Sequence, residues 1–260
     1  MTERAKAGAE TKQAALGANV VAIIPCLDEE QAIAGVVSAV LAEGVSTVIV
    51  VDGGSRDRTV AQATAAGARV IVELQHGYGR AMQAGIDAAP PEAEILLFLD
   101  GDGSDRPEFI SQLISPIVDG LATFAHGSRV RGARQPGSLS LQQIAAGRLA
   151  GFLIRLLYGV RFTDMSPFRA IQRDALRRLG MREATYGWNL EMQMRVAAAG
   201  MAVVEIAVGQ KRRVGGISKV SGNIATALKA ASTIAATFIR LALLLRREAR
   251  SGRHAVSSQG

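Results

Sequence analysis

Two aspartates separated by one residue follow an apolar run, and their spacing points to metal chemistry. The run covers residues 95–99 (ILLFL), and Asp100 and Asp102 come directly after it with Gly101 between them. Two carboxylates at the exit of a buried strand repel each other, and a bound cation offsets that cost. Carboxylate oxygens in an open site suit Mg²⁺ or Mn²⁺ shared with the phosphates of a substrate. The spacing therefore predicts a divalent metal site for a phosphorylated ligand.

Three other phosphate or metal motifs do not fit the chain. A calcium loop of the EF-hand type beginning at Asp100 would need Gly at its sixth position and Glu at its twelfth, which are Asp105 and Ser111 here. A dinucleotide-binding fingerprint beginning at Gly77 would need a glycine where the chain has Met82. The phosphate loop GxxxxGK[ST] does not occur in the sequence. These comparisons disfavour a calcium sensor, a hydride-transfer enzyme and a P-loop enzyme.

Polar residues also follow three earlier apolar runs, so that four successive strand ends carry them. The runs and the residues after them are 19–24 before PCLDE at 25–29, 47–51 before DGGS at 52–55, and 69–72 before HGYGR at 76–80. Such β-branched runs indicate strands buried on both faces. Their alternation with helical patterns predicts right-handed βαβ units around a mainly parallel sheet. Ligands bind outside the carboxyl ends of such strands, so one ligand site is expected there.

The rest of the chain reads as one α/β domain with a helical appendage. Ser55 is the predicted N-cap of the second helix, and Arg148 and Arg155 interrupt the apolar stripe of a long amphipathic helix. The predicted helices lie at 33–41, 55–66, 79–89, 141–158, 188–199 and 225–247, with further strands at 121–125 and 202–208. We divide the chain into a flexible N-terminus (1–18), the α/β domain (19–222), an amphipathic C-terminal helix (223–247) and a flexible tail (248–260).

Composition and charge limit the kinds of partner that the protein is expected to bind. Residues 1–120 carry 8 Lys/Arg and 17 Asp/Glu, whereas residues 121–260 carry 22 and 6. A basic surface of this kind suits a phosphate or a lipid headgroup layer. Nucleic acid is disfavoured because aromatic residues make up only 4% of the chain. Cys26 is the only cysteine, which excludes an internal disulfide and a multi-cysteine metal site.

The sequence predicts a cytoplasmic protein that can associate with the cytoplasmic face of the membrane. No signal peptide is recognised at the N-terminus. Lys229 and Arg240 interrupt residues 224–245 and leave an apolar stretch too short for a bilayer. The helices at 141–158 and 225–247 either lie against the headgroup layer or pack on the domain. The oligomeric state stays open.

The ordered motifs resemble family 2 glycosyltransferases of the GT-A fold. The motifs, over residues 20–222, are PCLDEE, VVDGGS, GYGRAMQAG, LFLDGDGS, GSR, DMSPFRAI, WNLEMQ and GGISKVSG. The chain is most similar to the branch that contains dolichyl- and polyprenyl-phosphate hexosyltransferases. The resemblance implies a three-layer, Rossmann-like α/β fold with a mainly parallel central sheet and a C-terminal helical appendage. It also implies inverting, metal-dependent transfer of a hexose from a UDP- or GDP-sugar to a lipid phosphate.

The resemblance also implies roles for individual residues. Pro25, Leu27 and Glu29 would line the nucleoside pocket, and Asp52 would accept a hydrogen bond from the base. Asp100 and Asp102 would flank the metal, with Ser104 as a third ligand. Arg129 would face the acceptor phosphate. The donor-binding set is completed by Arg80, Gly101, Arg212, Arg213 and Lys219. Two departures, Gly53 in place of an acid and Leu27 in place of an aromatic, leave the base undecided between uracil and guanine.

The acceptor decides whether a general base is needed. A hydroxyl acceptor needs one, whereas a phosphate monoester is already an anion near neutral pH. Asp164 and Glu191 are candidate bases, and with Asp102 and Arg129 they form the predicted catalytic set. The many arginines after residue 120 favour the phosphate acceptor. The alternatives are a soluble hydroxyl acceptor with the same fold and donor, and a catalytically silent protein that binds nucleotide sugars.

Overall fold

A computed structural model describes residues 16–215 and 235–248 of the chain. Most of the predicted flexible N-terminus, most of the tail, the start of the C-terminal helix and Lys219 lie outside the described residues. Within the described part, the strands form one mixed sheet in the order β3-β2-β1-β4-β6-β5-β7. The strands are β1 (Val20–Cys26), β2 (Thr47–Asp52), β3 (Arg69–Val72), β4 (Ile95–Phe98), β5 (Phe124–Ser128), β6 (Arg169–Gln172) and β7 (Val203–Ala207).

The sheet is mainly parallel, as predicted. The strand β6 is the exception, because it pairs antiparallel with both β4 and β5. The pairs β1–β2, β1–β4, β2–β3 and β5–β7 are all parallel, so the ends of β1, β2 and β4 meet at one edge. Cys26 stands beside Asp52 in this register. The first, second and fourth predicted strand ends therefore do come together.

Helices cover both faces of the sheet and give the predicted three layers. They are α1 (Ile33–Ala42), α2 (Thr59–Ala65), α3 (Tyr78–Ala88), α4 (Ile110–Val118), α5 (Leu141–Tyr158), α6 (Arg173–Leu179) and α7 (Trp188–Ala198). A further helix covers 235–248. The helices α1, α2 and α4 pack on one face of β1, through Ala22 and Ile24. The helices α3, α5, α6, α7 and 235–248 pack on the opposite face, through Val21 and Ile23. Such burial on both faces explains the uninterrupted apolar run.

Three predicted elements need correction. The strand β3 is not buried on both faces, because it is the outermost strand and leaves Arg69 and Val72 exposed. The helix predicted from Ser55 begins instead at Thr59, since the Ser55 hydroxyl bonds to Asp52 Oδ1 at 2.5 Å and belongs to the turn after β2. The strand predicted at 121–125 is β5, shifted towards the C-terminus. The elements α4, β6 and α6 were not predicted.

The long helix α5 has the predicted bounds, and local chemistry fixes both of them. Ser140 and Gln143 form a reciprocal capping box, with Ser140 Oγ accepting from the Gln143 backbone at 3.2 Å. Gly159 ends the helix with a φ of 75°, in the left-handed region that favours glycine. Gly151 faces the domain, where an added Cβ would lie 2.0 Å from the Phe162 carbonyl oxygen. Glycine therefore lets the backbone of α5 approach that carbonyl.

Candidate active site

The aspartate pair lies on the loop after β4, at the edge where β1 and β2 also end. Gly101 is buried between Asp100 and Asp102, and a Cβ there would lie 2.3 Å from Cys26 Sγ. Only glycine allows the ends of β1 and β4 to approach this closely. The order of strands and the Gly101 contact together place the acidic loop beside the end of β1.

A third acid, Asp105, holds this loop and was not predicted as a site residue. Asp105 Oδ2 accepts from the Asp100 backbone N–H at 2.9 Å, and the residue is only 4% exposed. Its other oxygen, Oδ1, is buried without a hydrogen-bond partner among the described residues. Ser104 also supports the loop, since its backbone N–H donates to Asp102 Oδ1 at 2.9 Å. The sequence clue was the third aspartate in DGDGSD.

The three acids create a site that favours a cation. Burial raises the pKa of Asp100 well above its ordinary value, and the charges of Asp105 and Asp102 add to that effect. Burial likewise raises the pKa of Asp105 to about 7, although the hydrogen bond from the Asp100 backbone opposes the shift. A divalent cation would offset this repulsion, so the residues present fit Mg²⁺ or Mn²⁺.

Any further atoms that coordinate the cation would have to come from outside the pair Asp100 and Asp102. In residues 16–215 and 235–248 there is no group of three or more His, Cys, Asp or Glu side chains arranged to hold a metal. The predicted third ligand, Ser104, has its hydroxyl 3.2 Å from Gln210 Nε2, from which it accepts. Two carboxylates with open positions are the usual protein share of a Mg²⁺ site that also takes substrate phosphates and water.

The predicted nucleoside end of the site is built from the loops after β1 and β2. Asp52 is 1% exposed, and its oxygens accept from the backbone N–H groups of Gly54 and Ser55, each at 2.9 Å. The Asp28 backbone N–H donates to Ser55 Oγ at 2.9 Å, which ties the two loops together. Asp52 therefore shapes the turn directly, and its predicted contact with the base stays a prediction.

Pro25 and Leu27 occupy the end of β1 on the same side. Both are half-buried, and Leu27 Cβ would lie 3.8 Å from a Cβ added at Gly53. Arg80 is exposed on α3, where its Nη1 donates to Gln75 Oε1 at 2.8 Å. Tyr78, two residues before Arg80, was not predicted, and its hydroxyl lies 3.4 Å from Asp100 Oδ1. The start of α3 thus reaches the acid pair through Tyr78.

The segment after β7 crosses the acidic loop. The Val214 backbone N–H donates to the Asp102 carbonyl at 2.9 Å, so the segment is fixed to the loop by its main chain. Arg213 Nη2 lies 2.5 Å from Glu29 Oε1, and its Nε lies 3.8 Å from Asp102 Oδ2. Arg213 thus joins the predicted nucleoside and metal ends of the site.

Arg212 does not take part in this bridge. Its Nε donates to the Pro136 carbonyl at 2.6 Å, and its backbone N–H donates to Gln135 Oε1 at 2.6 Å. Arg212 therefore links two loops here, and its predicted part in donor binding stays a prediction. Lys219, which was predicted to bind the donor together with Arg212, lies outside the described residues.

Arg129 follows β5 and forms a buried, bidentate ion pair with Asp164. Arg129 Nε lies 2.7 Å from Asp164 Oδ2, and Nη2 lies 2.8 Å from Oδ1. Burial would raise the pKa of Asp164, but the hydrogen bonds and charge of Arg129 outweigh it and lower the pKa to about 2. Asp164 is therefore a poor proton acceptor near neutral pH in this structure, and its role as a base stays a prediction.

Glu191, the other candidate base, is committed to structure. It is fully buried on α7, and its Oε1 accepts from Arg195 Nε at 2.8 Å. Its Oε2 accepts from the backbone N–H groups of Arg182 and Glu183, at 3.0 and 2.7 Å. A carboxylate with these partners stabilises the turn before α7, and the predicted catalytic role of Glu191 stays a prediction.

Two buried polar side chains that sequence reasoning did not connect hold the Asp164 turn. His126 Nε2 lies 3.0 Å from the Asp164 carbonyl oxygen, and Gln193 Nε2 donates to the same oxygen at 2.8 Å. Burial lowers the pKa of His126 to about 3, and the charge of Arg169 adds to the effect. His126 is therefore neutral and structural.

Comparisons with known proteins identify the family of the chain. The model of the family "Glycosyl transferase family 2" matches residues 21–180. The chain is 35% identical to an uncharacterised glycosyltransferase of Mycobacterium tuberculosis over 214 residues, which is 80% of this chain and 92% of the relative. It is 31% identical to the dolichyl-phosphate hexose transferase of Haloferax volcanii over 191 residues, 72% of this chain and 81% of the relative.

A solved structure shows the same fold. The glucosyl-3-phosphoglycerate synthase of Mycobacterium tuberculosis, in complex with Mn²⁺, uridine diphosphate and phosphoglyceric acid, matches with a TM-score of 0.66 and 22% identity. The match covers 90% of this chain and 81% of that one, and it confirms the GT-A architecture expected from the sequence. On the family match and the relatives, the chain belongs to glycosyl transferase family 2.

Proposed function

We propose that this enzyme transfers a hexose, with inversion, from a nucleoside diphosphate sugar to the phosphate of a polyprenyl or dolichyl lipid. Two predicted roles belong to this proposal: Asp100 and Asp102 hold Mg²⁺ or Mn²⁺, and Glu29, Asp52 and Arg213 surround the donor. The bound cation would neutralise charge on the diphosphate as it leaves. The likeness to a dolichyl-phosphate hexose transferase supports the acceptor class.

The proposal depends mainly on the ion pairs that the two candidate bases, Asp164 and Glu191, form in the structure. Asp164 is paired with Arg129 and has a pKa of about 2, and Glu191 is fully buried in its pair with Arg195. A hydroxyl acceptor would need a base to remove its proton, whereas a phosphate monoester attacks as an anion. The phosphate acceptor therefore agrees with a site in which both carboxylates are already engaged.

Arg129 is the side chain proposed to meet the acceptor phosphate. Asp164 binds two of its guanidinium nitrogens, Nε and Nη2, and so fixes the plane of the fork. Burial would lower the pKa of Arg129, but the hydrogen bonds and charge of Asp164 raise it, which keeps the group charged at any pH of interest. A planar guanidinium held in this way positions an oxyanion more rigidly than a lysine ammonium can.

Transfer assays with matched acceptors test the proposal. The purified chain is incubated with UDP- and GDP-hexoses and Mg²⁺ or Mn²⁺, with either polyprenyl phosphate or the corresponding polyprenol, and products are identified by mass spectrometry. We expect transfer to the phosphate and none to the alcohol, and we expect a chelator to stop it. Transfer to soluble hydroxyl acceptors at a comparable rate would instead establish the alternative reaction. Nucleotide-sugar binding without any transfer would establish a silent binding protein.

Arg129→Lys separates acceptor binding from donor binding. We expect this variant to raise the KM for the lipid phosphate while nucleotide affinity, measured by calorimetry, stays at the wild-type value. The exposed Arg178→Lys on α6 is a matched control, since it lies outside the proposed site. An unchanged acceptor KM in Arg129→Lys would remove Arg129 from the acceptor site.

A further inference from the structure

The helix α5 presents its large apolar side chains to solvent and its small ones to the domain. Its buried residues are Gly147, Ala150, Gly151 and Ile154. On the opposite face, Phe152 is 62% exposed and Leu156 is 70% exposed, with Leu141 and Leu149 exposed beside them. The positions 141, 145, 149, 152 and 156 recur at intervals of three and four residues and so form one stripe. An amphipathic helix that only packed on its own domain would have the reverse arrangement.

Arginines line one side of this apolar stripe. Arg148 and Arg155 are exposed on α5 and, with Phe152, line a cleft of about 410 Å³. Arg131 and Arg161 line the same cleft from the domain. An adjoining cavity shares these two arginines and contains the acid Glu205. The described residues around the cleft are therefore strongly basic and next to exposed apolar groups.

The acid in the adjoining cavity, Glu205, pairs with only one of these arginines, Arg131. Glu205 has a side chain only 9% exposed, and its carboxylate accepts from the Thr163 backbone N–H and hydroxyl at 2.8 and 3.0 Å. Its contact with Arg131 is long, at 3.4 Å, and the Arg131 side chain is 52% exposed. The cationic groups are therefore available to an anion from outside.

The cleft adjoins the proposed acceptor site. Val130 and Arg131 follow Arg129 in the chain, and Thr163 precedes Asp164, so the cleft wall and the buried ion pair share two backbone segments. The hydroxyls of Ser128 and Thr163 lie 2.7 Å apart and hold these segments together. A lipid whose phosphate reached Arg129 would therefore have this basic, apolar surface beside it.

The C-terminal helix also carries exposed apolar side chains. Phe238 and Leu241 are buried against the domain, whereas Ile239 is 60% exposed and Leu243 is 50% exposed. Burial raises the pKa of Tyr158 at the end of α5, and the charge of Arg246 opposes the shift, which places the two helices near each other. No helix in the described ranges is long and apolar enough to cross a membrane.

We propose that the outward face of α5 and the arginine cleft beside it form a docking surface for a bilayer that contains anionic phospholipid. The apolar stripe would enter the boundary between headgroups and acyl chains, and the arginines would bind the phosphates of the headgroups. A second copy of the chain is a poorer occupant, because a two-fold interface would use the same basic patch on both copies and bring like charges together. This inference rests on the proposed function in that it supplies the surface from which a lipid acceptor enters.

Co-sedimentation with vesicles tests the docking surface without donor or acceptor. The full chain is mixed with vesicles of phosphatidylcholine alone, or of phosphatidylcholine with phosphatidylglycerol, at low and high salt. We expect binding to the anionic vesicles that weakens with salt. Arg148→Ala/Arg155→Ala should lower the partition coefficient about thirty-fold, since each arginine near an anionic surface is worth about five-fold. Phe152→Ser/Leu156→Ser should lower it about ten-fold or more.

Matched controls separate this surface from general charge and hydrophobicity. Arg177→Ala/Arg178→Ala removes two exposed arginines from α6, and Leu121→Ser removes a side chain that is 75% exposed before β5. Both controls should bind vesicles like the wild type. The inference is overturned by an absence of binding at low salt, or by wild-type binding of both α5 variants. It is also overturned if the wild type is a dimer that Phe152→Ser/Leu156→Ser converts to a monomer.

A second assay keeps the two proposals distinguishable. Transfer to a short-chain, water-soluble prenyl phosphate is measured without vesicles. The α5 variants should retain the wild-type rate there and lose rate only with long-chain acceptor in vesicles. Vesicle binding without transfer to either acceptor would refute the proposed function and leave the docking surface in place.

Discussion

The ion pair between Arg129 and Asp164 gives a quantitative test of how the site is held together. Asp164 accepts four hydrogen bonds, three of them from Arg129 and one from the Met165 backbone N–H, at 2.7–3.0 Å. Asp164→Asn keeps the shape of the side chain but leaves the Arg129 charge buried without its partner. Breaking a buried pair in this way costs about 3–5 kcal/mol. We expect a loss of that size in the free energy of unfolding, measured by urea denaturation at pH 7.

The loss of unfolding free energy in Asp164→Asn should depend on pH, in a direction that the pKa of Asp164 determines. Folding lowers this pKa from 3.8 to about 2 because of Arg129, so the ionised carboxylate stabilises the folded state above pH 3.8. That stabilisation, about 2–3 kcal/mol, disappears as the pH falls through 2. The difference in unfolding free energy between the wild type and Asp164→Asn should therefore shrink by this amount between pH 5 and pH 2.

Two further variants make the reasoning refutable. Asp174→Asn breaks an exposed pair with Arg177 at 3.6 Å and should cost at most about 0.5 kcal/mol at pH 7. The double variant Arg129→Met/Asp164→Leu removes both charges and should be less destabilised than Asp164→Asn alone. An Asp164→Asn variant within about 1 kcal/mol of the wild type, or one whose loss is independent of pH, would show that the pair does not hold the site.

Three other substitutions have expected outcomes. Asp102→Asn should keep the wild-type circular dichroism and lose most transfer activity, because an amide lacks the charge that the cation requires; activity at the wild-type level would refute the metal role. Glu191→Gln should lower the unfolding free energy by at most about 3–5 kcal/mol, since Arg195 then keeps only Glu248 as a charged partner, while turnover per folded enzyme stays unchanged; a selective loss of kcat would instead make Glu191 the base. Gly101→Ala should lower the unfolding free energy by about 1–3 kcal/mol, because its Cβ would lie 2.3 Å from Cys26 Sγ. Adding Cys26→Ala to this variant should restore much of the lost stability. Equal thermal stability of Gly101→Ala and the wild type would contradict the close approach.

The elements that sequence reasoning found are those whose pattern is local. The runs in β1, β2 and β4 are apolar over their whole length because both faces of these strands are buried. The bounds of α5 follow from the capping box at its start and the glycine at its end. The strand β6 has no such pattern, because its four residues include the fully buried Arg169 and it is held by pairing with β4 and β5. Long-range pairing of this kind leaves no periodicity in the sequence.

The residues of the candidate site also divide into those that the sequence could predict and those that it could not. The residues at strand ends could be predicted because the end of a parallel strand fixes where a side chain lies. The partners of Asp164 and Glu191 could not, because Arg129 is 35 residues from Asp164 and the turn that Glu191 caps lies before α7. A carboxylate in a sequence is equally compatible with a base and with an ion pair. Only the tertiary structure shows the ion pairs that these two carboxylates form.

Arg213 shows how the two ends of the site can act together. Its guanidinium contacts Glu29 at the nucleoside end and approaches Asp102 at the metal end, so one cation bridges two carboxylates. A nucleoside diphosphate carries more negative charge than either carboxylate and, in the proposed function, occupies the space between them. It would therefore compete with Glu29 and Asp102 for Arg213. Because the Val214 backbone N–H fixes the same segment to the Asp102 carbonyl, Arg213 can change partners by rotating its side chain while the main chain stays in place.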